Sequence, residues 1–320
     1  MYPRLQAPGF GLHLRRGNSL IGARRATYHL GALGRARQSW LSTPPTERPL
    51  ADGPIPDGEI HHFLLPADGW GAVAGAKQAK ERAPTQASAL RDWQRALKKK
   101  PGAKEVDRLK ALARRVERLW ALTLRRLEVS EREIAREIDV WGADLPSVHS
   151  AVTRQQVESA LHDPGSPYRR LRWVMDAWCA LWFWPLDGVE PPALLQWLDG
   201  LEAVLSLDIR KAGRGAGDDR LGLFDDSVGF ADLADADATE ISLFQMRPEL
   251  IILAEHPWLG RVREIAVLEG FFHWELDFAQ VFACGGFDLQ VGNPPWVRPR
   301  WKDDVTLSEH DPFFLSLIHI

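Results

Sequence analysis

The chain reads as an α/β protein in which strand-bearing regions at both ends flank a large, mainly α-helical insertion. Three observations predict this. Residues 1–70 mix short apolar runs with turn signals at Pro44-Pro45, Gly53-Pro54 and Pro56-Asp57-Gly58. The middle of the chain carries apolar residues at helical spacing. Near the end, Gly286-Phe287-Asp288-Leu289-Gln290-Val291-Gly292 alternates apolar and polar residues as a strand does.

Taken in order, Trp70–Lys100 has a polar, helical pattern interrupted by Pro84. Pro101-Gly102 breaks it, and the spacing predicts a long helix over Lys104–Trp141. Its apolar positions Val106, Leu109, Leu112, Val116, Leu119, Leu127, Ile134 and Ile138 recur every three or four residues. The two helices are expected to form an antiparallel hairpin about the Pro-Gly turn. Lys98–Lys100, Arg114, Arg115, Arg125 and Arg126 read as a solvated face, with a DNA-backbone contact as the alternative. Residues 148–208 form a second helical block. Arg172–Trp184 is apolar almost all round and is expected to be a buried helix whose tryptophans belong to the core. Pro191-Pro192 opens the next helix, since proline fits the first turn. Residues 209–238 are a Gly/Asp-rich linker. Leu259–Gly270 is a helix, and Phe287–Val291 is the last strand.

Composition bounds the function. The 320 residues are 45% hydrophobic, enough for a real core, and 40 basic against 43 acidic side chains leave a net charge of −3. There is no global basic signal for nucleic acid, although a basic surface can be local. Cys179 and Cys284 are too few for a disulfide framework and suit a reducing cytoplasm. No apolar run reaches the ~18 residues of a membrane span, and the N-terminus lacks a signal pattern. A cytoplasmic protein with no membrane partner is expected.

The chemistry concentrates in Asn293-Pro294-Pro295-Trp296. Two prolines fix φ and give up their N–H groups, so the loop offers carbonyl acceptors without competing donors. Asn293 adds a side-chain carbonyl, and Trp296 a flat face for a planar ring. Acceptors beside a stacking plane suit the exocyclic –NH2 of a heteroaromatic base. The bland reading is a Pro-Pro turn with Trp296 as a half-buried aromatic.

This tetrapeptide resembles the NPP(Y/W/F) motif of amino-methyltransferases, chiefly those that methylate adenine N6 in DNA. Further stretches resemble large bacterial restriction–modification methyltransferases, including the fused type II enzymes and related phage-defence methylases. They are Phe272-His273-Trp274-Glu275-Leu276-Asp277-Phe278, then Val281-Phe282-Ala283, then the run ending in NPPW, and, near the start, Gly17-Asn18-Ser19-Leu20-Ile21-Gly22. The resemblance implies a site-specific, adenine-specific DNA methyltransferase. Asn293 and Pro294 would hold the amine, Pro295 would stiffen the loop, and Trp296 would stack on an adenine flipped out of double-stranded DNA. It implies a Rossmann-like class I methyltransferase sheet, parallel and only partly present, interrupted by the helical insertion. On this reading residues 1–70 are partial core, 71–238 the insertion, and 239–314 the core that carries the motif. The alternatives are an amino-methyltransferase acting on RNA or on protein glutamine, and a non-catalytic helical DNA-binding or scaffold module.

The resemblance also implies S-adenosylmethionine as methyl donor, held by a Gly-rich Asp-Pro-x-x-Gly-x-Gly loop. That loop is absent from the chain. Gly213-Arg214-Gly215-Ala216-Gly217 has no apolar strand before it and reads as a surface loop. The loop is expected upstream of Met1, which would be an internal methionine or a truncated start. Asn18 is the one position here expected to touch the cofactor's adenine. Leu315-Ser316-Leu317-Ile318-His319-Ile320 matches one reading frame of a transposon-end adapter used in sequencing libraries, so residues 315–320 are expected to be artefactual. The chain is thus expected to be a slice of a longer polypeptide, with its other modules as partners, and inactive alone. No metal is implied: His273, Glu275 and Asp277 would share one face if extended, but the resemblance gives them no such role. His61-His62 and His310 read as solitary loop histidines. Calorimetry of the 320-residue chain with S-adenosylmethionine is expected to show no binding heat, and micromolar affinity would overturn the missing-loop reading.

Overall fold

A computed structural model describes residues 6–7, 13–34, 40–134, 136–137, 152–206, 229–230, 232–233 and 246–293. Residues 1–286 make one compact unit and 287–320 a second. The first is mixed α/β and mostly helical, with a small three-stranded antiparallel sheet.

The strand region lies where turn and β-branched residues place it. β1 (Gln6–Ala7) pairs with a distant partner described below, while β2 (Ala26–His29) is the centre of the sheet. β3 (Thr46–Glu47) and β4 (Glu59–His61) flank β2, with Ala26 opposite Glu47 and Thr27 opposite His61. The sheet is antiparallel where the resemblance implied a parallel one. The parallel pairing in the described residues is a single bridge, Asn18 with Phe271.

The helices follow their caps. α1 (Lys77–Arg82) ends at Ala83, and Pro84 opens α2 (Pro84–Leu97) from its first turn. Proline there lacks an N–H that the helix could not have used, so it starts a helix rather than kinking one. α3 (Ala103–Ile134) has 32 residues, about 48 Å at 1.5 Å per residue. It stops short of the expected Trp141, because Arg136–Glu137 forms β5, antiparallel to β1. Nor is an α2–α3 hairpin the packing unit: α3 packs chiefly on helices 167–180, 194–205 and 279–283, whereas α2 packs on residues 72–82. α4 (Arg154–His162) carries a capping box, Thr153 with Gln156, and α5 (Pro167–Ala180) is capped by Ser166. α6 (Leu194–Leu205), α7 (Glu249–Glu255) and α8 (Trp258–Glu269) follow. Gly270, at φ 64°, ends α8 in the left-handed conformation that glycine adopts without penalty. α9 (Trp274–Asp277) and α10 (Ala279–Ala283) close the unit.

α5 is the buried helix its composition predicts, lying against α3, α4, α6 and α8. Of the tryptophan-rich segment, Trp173 and Trp184 are core as expected and Trp178 is half-buried, but Trp182, beyond the end of α5, is exposed; the buried rings continue elsewhere. Trp70 lies 4.9 Å from Trp197, which lies 5.7 Å from Trp258. Buried indoles need acceptors. Trp197, Trp178 and Trp40 donate to the successive carbonyls of Leu64, Leu65 and Pro66, so one loop is held by three indoles.

Three polar expectations are corrected. Arg115, Arg125 and Arg126 are buried, whereas Arg114 and Lys98–Lys100 are exposed. On a helix packed from several sides, one run of cations is divided between core and solvent. His61 and His62 are buried in the core. Phe287–Val291 is not a strand, and its Phe287, Leu289 and Val291 are 45%, 77% and 86% exposed. Alternation permits a strand, but a ladder needs a neighbouring strand, and 287–291 joins neither of the sheets among the described residues. Gly213–Gly217, His310 and the adapter-like end lie outside the described residues.

Candidate functional site

Two stretches 250 residues apart meet in the first unit. The Asn18 N–H donates to Gly270 O at 2.6 Å, and the Phe272 N–H donates to Ile21 O at 2.8 Å. Trp274 Nε1 donates to Ser19 O at 3.0 Å. Both glycines of the first stretch are dictated by this approach. A Cβ on Gly22 would stand 1.8 Å from Phe272 O, and one on Gly17 would stand 2.7 Å from the Phe272 ring and 3.0 Å from Gly270 O. No side chain fits at either place.

His273 locks the junction. Its Nδ1 accepts the Ala23 N–H at 3.0 Å, so the ring proton sits on Nε2, which donates to Asp176 Oδ1 at 2.9 Å. Its own N–H donates to Asp277 Oδ2 at 3.1 Å, capping α9. His273, Glu275 and Asp277 therefore belong to a helical turn and its cap, not to an extended segment with one shared face. Asp277 Oδ1 also accepts from Tyr168 Oη at 2.5 Å and Arg172 Nη1 at 2.9 Å, and Arg172 Nη2 donates to Phe271 O at 2.8 Å. Every buried charge in this group has a partner, as low-dielectric burial requires.

A second polar group backs the first. Arg25 donates to the carbonyls of Arg48, Pro49 and Gly53 and to Glu117 Oε2 at 2.7 Å, and its guanidinium lies 5.8 Å from the Trp120 ring centroid. His61 Nε2 is 2.9 Å from Glu117 Oε1. Burial works to raise the Glu117 carboxyl, but the His61 hydrogen bond and the charges of His61 and Arg25 outweigh it and hold it below the ordinary range. Glu275 goes the other way: burial raises its carboxyl above the ordinary value although the Arg25 N–H donates to it at 3.3 Å. Trp120 Nε1 donates to Glu275 O at 3.3 Å and so joins the two groups. His62 Nε2 lies against the backbone of Arg24, and burial pushes its ring down to about 3.

Of the residues proposed from sequence, Asn18 is half-buried at the junction, and its Oδ1 accepts from Leu20 N at 3.2 Å. That acceptor is used locally, which leaves the amide hydrogens for a ligand. One amide is no cradle for S-adenosylmethionine, and the described residues around it do not complete one. Asn293 is exposed and belongs to the second unit. Pro294, Pro295 and Trp296 lie outside the described residues. No group of three or more His, Cys, Asp or Glu that could hold a metal ion occurs among the described residues. Sequence reasoning missed Arg25, Tyr168, Arg172 and Asp176. A signal existed for two of them: Arg172 and Asp176 stand four apart in the stretch 171–180, which is otherwise apolar, and charges persist there only if paired.

The fold and junction thus define a mixed, mostly helical α/β protein whose first stretch is pinned to residues 270–275. No known family model, curated protein or solved structure matches the chain. No helix among the described residues is long and apolar enough to cross a membrane.

Gly22→Ala is expected to destabilise the first unit by about 3 kcal/mol or more, since it meets backbone rather than a movable side chain. Gly260→Ala, in α8 with nothing within 4 Å of its Cβ, is expected to stabilise by about 0.5–1 kcal/mol; urea denaturation of the pair checks both. His62 is held neutral in the fold while the unfolded ring titrates at its ordinary 6.5. As pH falls below that value the unfolded chain takes up a proton the fold refuses, and stability drops by about 1.4 kcal/mol per pH unit. Denaturation at pH 6.5 and 5.0 measures the slope, which His62→Gln is expected to flatten.

Proposed function

We propose that the chain is part of an S-adenosylmethionine-dependent methyltransferase acting on adenine N6 in DNA, in a restriction–modification or related defence system. The observation that carries this reading is the junction itself. The two stretches that resemble the same methyltransferase group, on opposite sides of the insertion, are hydrogen-bonded to each other, and their glycines and histidine have packing reasons to be where they are. A methyltransferase core split by an inserted helical body accounts for both the contact and the sequence separation.

On this reading Asn293 Oδ1 and the Pro294 carbonyl accept the two hydrogens of the target amine, and Trp296 covers the flipped base. The chain's own contribution is positioning and desolvation of that nitrogen. Flipping costs a few kcal/mol, which stacking on the indole offsets. A second reading, a non-catalytic helical DNA-binding or scaffold module, is favoured by one observation: the residues before Asn293 are exposed and form no strand. An amino-methyltransferase acting on RNA or on protein glutamine keeps the motif with another substrate.

Tritium transfer from labelled S-adenosylmethionine by the parent polypeptide decides among them. Label is expected in duplex DNA, with loss of about 100-fold or more for Asn293→Ala. Label in RNA or protein instead selects the other methyltransferases, and no transfer to any acceptor selects the module.

A further inference from the structure

The basic side chains of the chain are not spread evenly. Residues 77–104 hold nine Lys or Arg against two acidic residues, in a protein whose net charge is −3. This stretch is α1, α2, the Pro101-Gly102 turn and the first residues of α3. Lys77, Lys80, Arg82, Arg95, Lys98, Lys99, Lys100 and Lys104 are all exposed. Lys77, Arg95 and Lys98 have carboxylate neighbours in Glu81, Asp92 and Asp68. Lys80, Arg82, Lys99, Lys100 and Lys104 have no ion-pair partner among the described residues. The contrast with α3 is physical. There Arg115 and Arg126 turn inward to the carbonyls of Leu205 and Leu233, and Arg108 is taken by Glu202 and Asp199. Lys80, Arg82, Lys99, Lys100 and Lys104 are held by no such ion pair among the described residues.

We propose that this face, centred on Lys99, Lys100 and Lys104, is a docking surface for the phosphate backbone of duplex DNA, a proposal that deepens the methyltransferase reading and rests on it only for the choice of polyanion. Charge and shape both argue for it. α2 and the turn extend about 25 Å, and a duplex offers one phosphate charge per ~1.7 Å of its axis, so several lysines can meet phosphates together. Lysine on a flexible stem suits contacts that carry no sequence information. An anionic membrane is the other polyanionic surface, but a helix that lies on one presents an apolar face beside its cations. Here the leucines of α2, Leu90 and Leu97, are buried in the protein with Ala79 and Ala87, and Trp93 is half-buried.

Fluorescence anisotropy of the 320-residue chain with a labelled duplex of unrelated sequence, at 50–200 mM KCl, tests the surface. Wild-type chain is expected to bind, with log K falling linearly in log salt. Lys99→Glu/Lys100→Glu/Lys104→Glu is expected to lose about tenfold or more at 50 mM and to flatten the slope by about 2–3, at ~0.9 per phosphate contact. Arg114→Glu, a charge reversal farther along α3, is expected to stay within about twofold of wild type, on the scale of one peripheral contact. Should the triple Glu variant not fold, Lys99→Gln/Lys100→Gln is read in its place. Overturning results are no binding by the wild-type chain, equal loss in the Arg114 variant, a triple variant that binds as wild type, or lysine-dependent capture by phosphatidylserine vesicles with no duplex binding. Lysine-dependent duplex binding by a chain whose parent transfers no methyl group would refute the enzymatic reading and leave this surface standing.

Discussion

The first unit depends on a contact in which no atom can be added: the α-carbon of Gly22 lies against the carbonyl oxygen of Phe272. That approach lets Phe272 N–H reach Ile21 O and brings the next backbone N–H, Ala23, to the ring of His273. His273 then hands the constraint on to Asp176, in the most central helix. A start-of-chain segment, the segment near residue 273 and the helical body are tied through one imidazole. Its neutral ring fits because one nitrogen meets a donor and the other an acceptor. A protonated ring would bring a second donor against the Ala23 N–H.

Around this contact the helical body solves the problem of burying many polar groups. Tyr168, Arg172 and Asp277 satisfy one another, and the two terminal nitrogens of Arg25 reach three carbonyls and Glu117. Such networks contribute little net stability compared with an apolar core, but a member removed leaves the others buried without partners. They therefore impose one arrangement. The indoles do the same with less charge, since each brings a large apolar surface and one N–H that must find a carbonyl.

The proposed function places the chemistry in the second unit and the scaffold in the first. His273, Trp274 and Glu275 hold the first unit together through Ala23, Ser19 and Arg25.

Local signals were legible in the sequence where a residue's own chemistry decides: the break at Pro101-Gly102, the helix that runs to Gly270, and the apolar helical stretch from Arg172 to Ala180. Each depends on φ limits, a missing N–H or periodicity, which need no distant partner. What the residues alone left open is what distance decides. Whether Arg115 is solvated or buried, whether His61 and His62 are loop or core, and whether Phe287–Val291 finds a strand to pair with all turn on neighbours far along the chain. Only the tertiary structure brought Gly22 to Phe272, because a steric fit between residues 250 positions apart leaves no trace in local pattern beyond a glycine on one side.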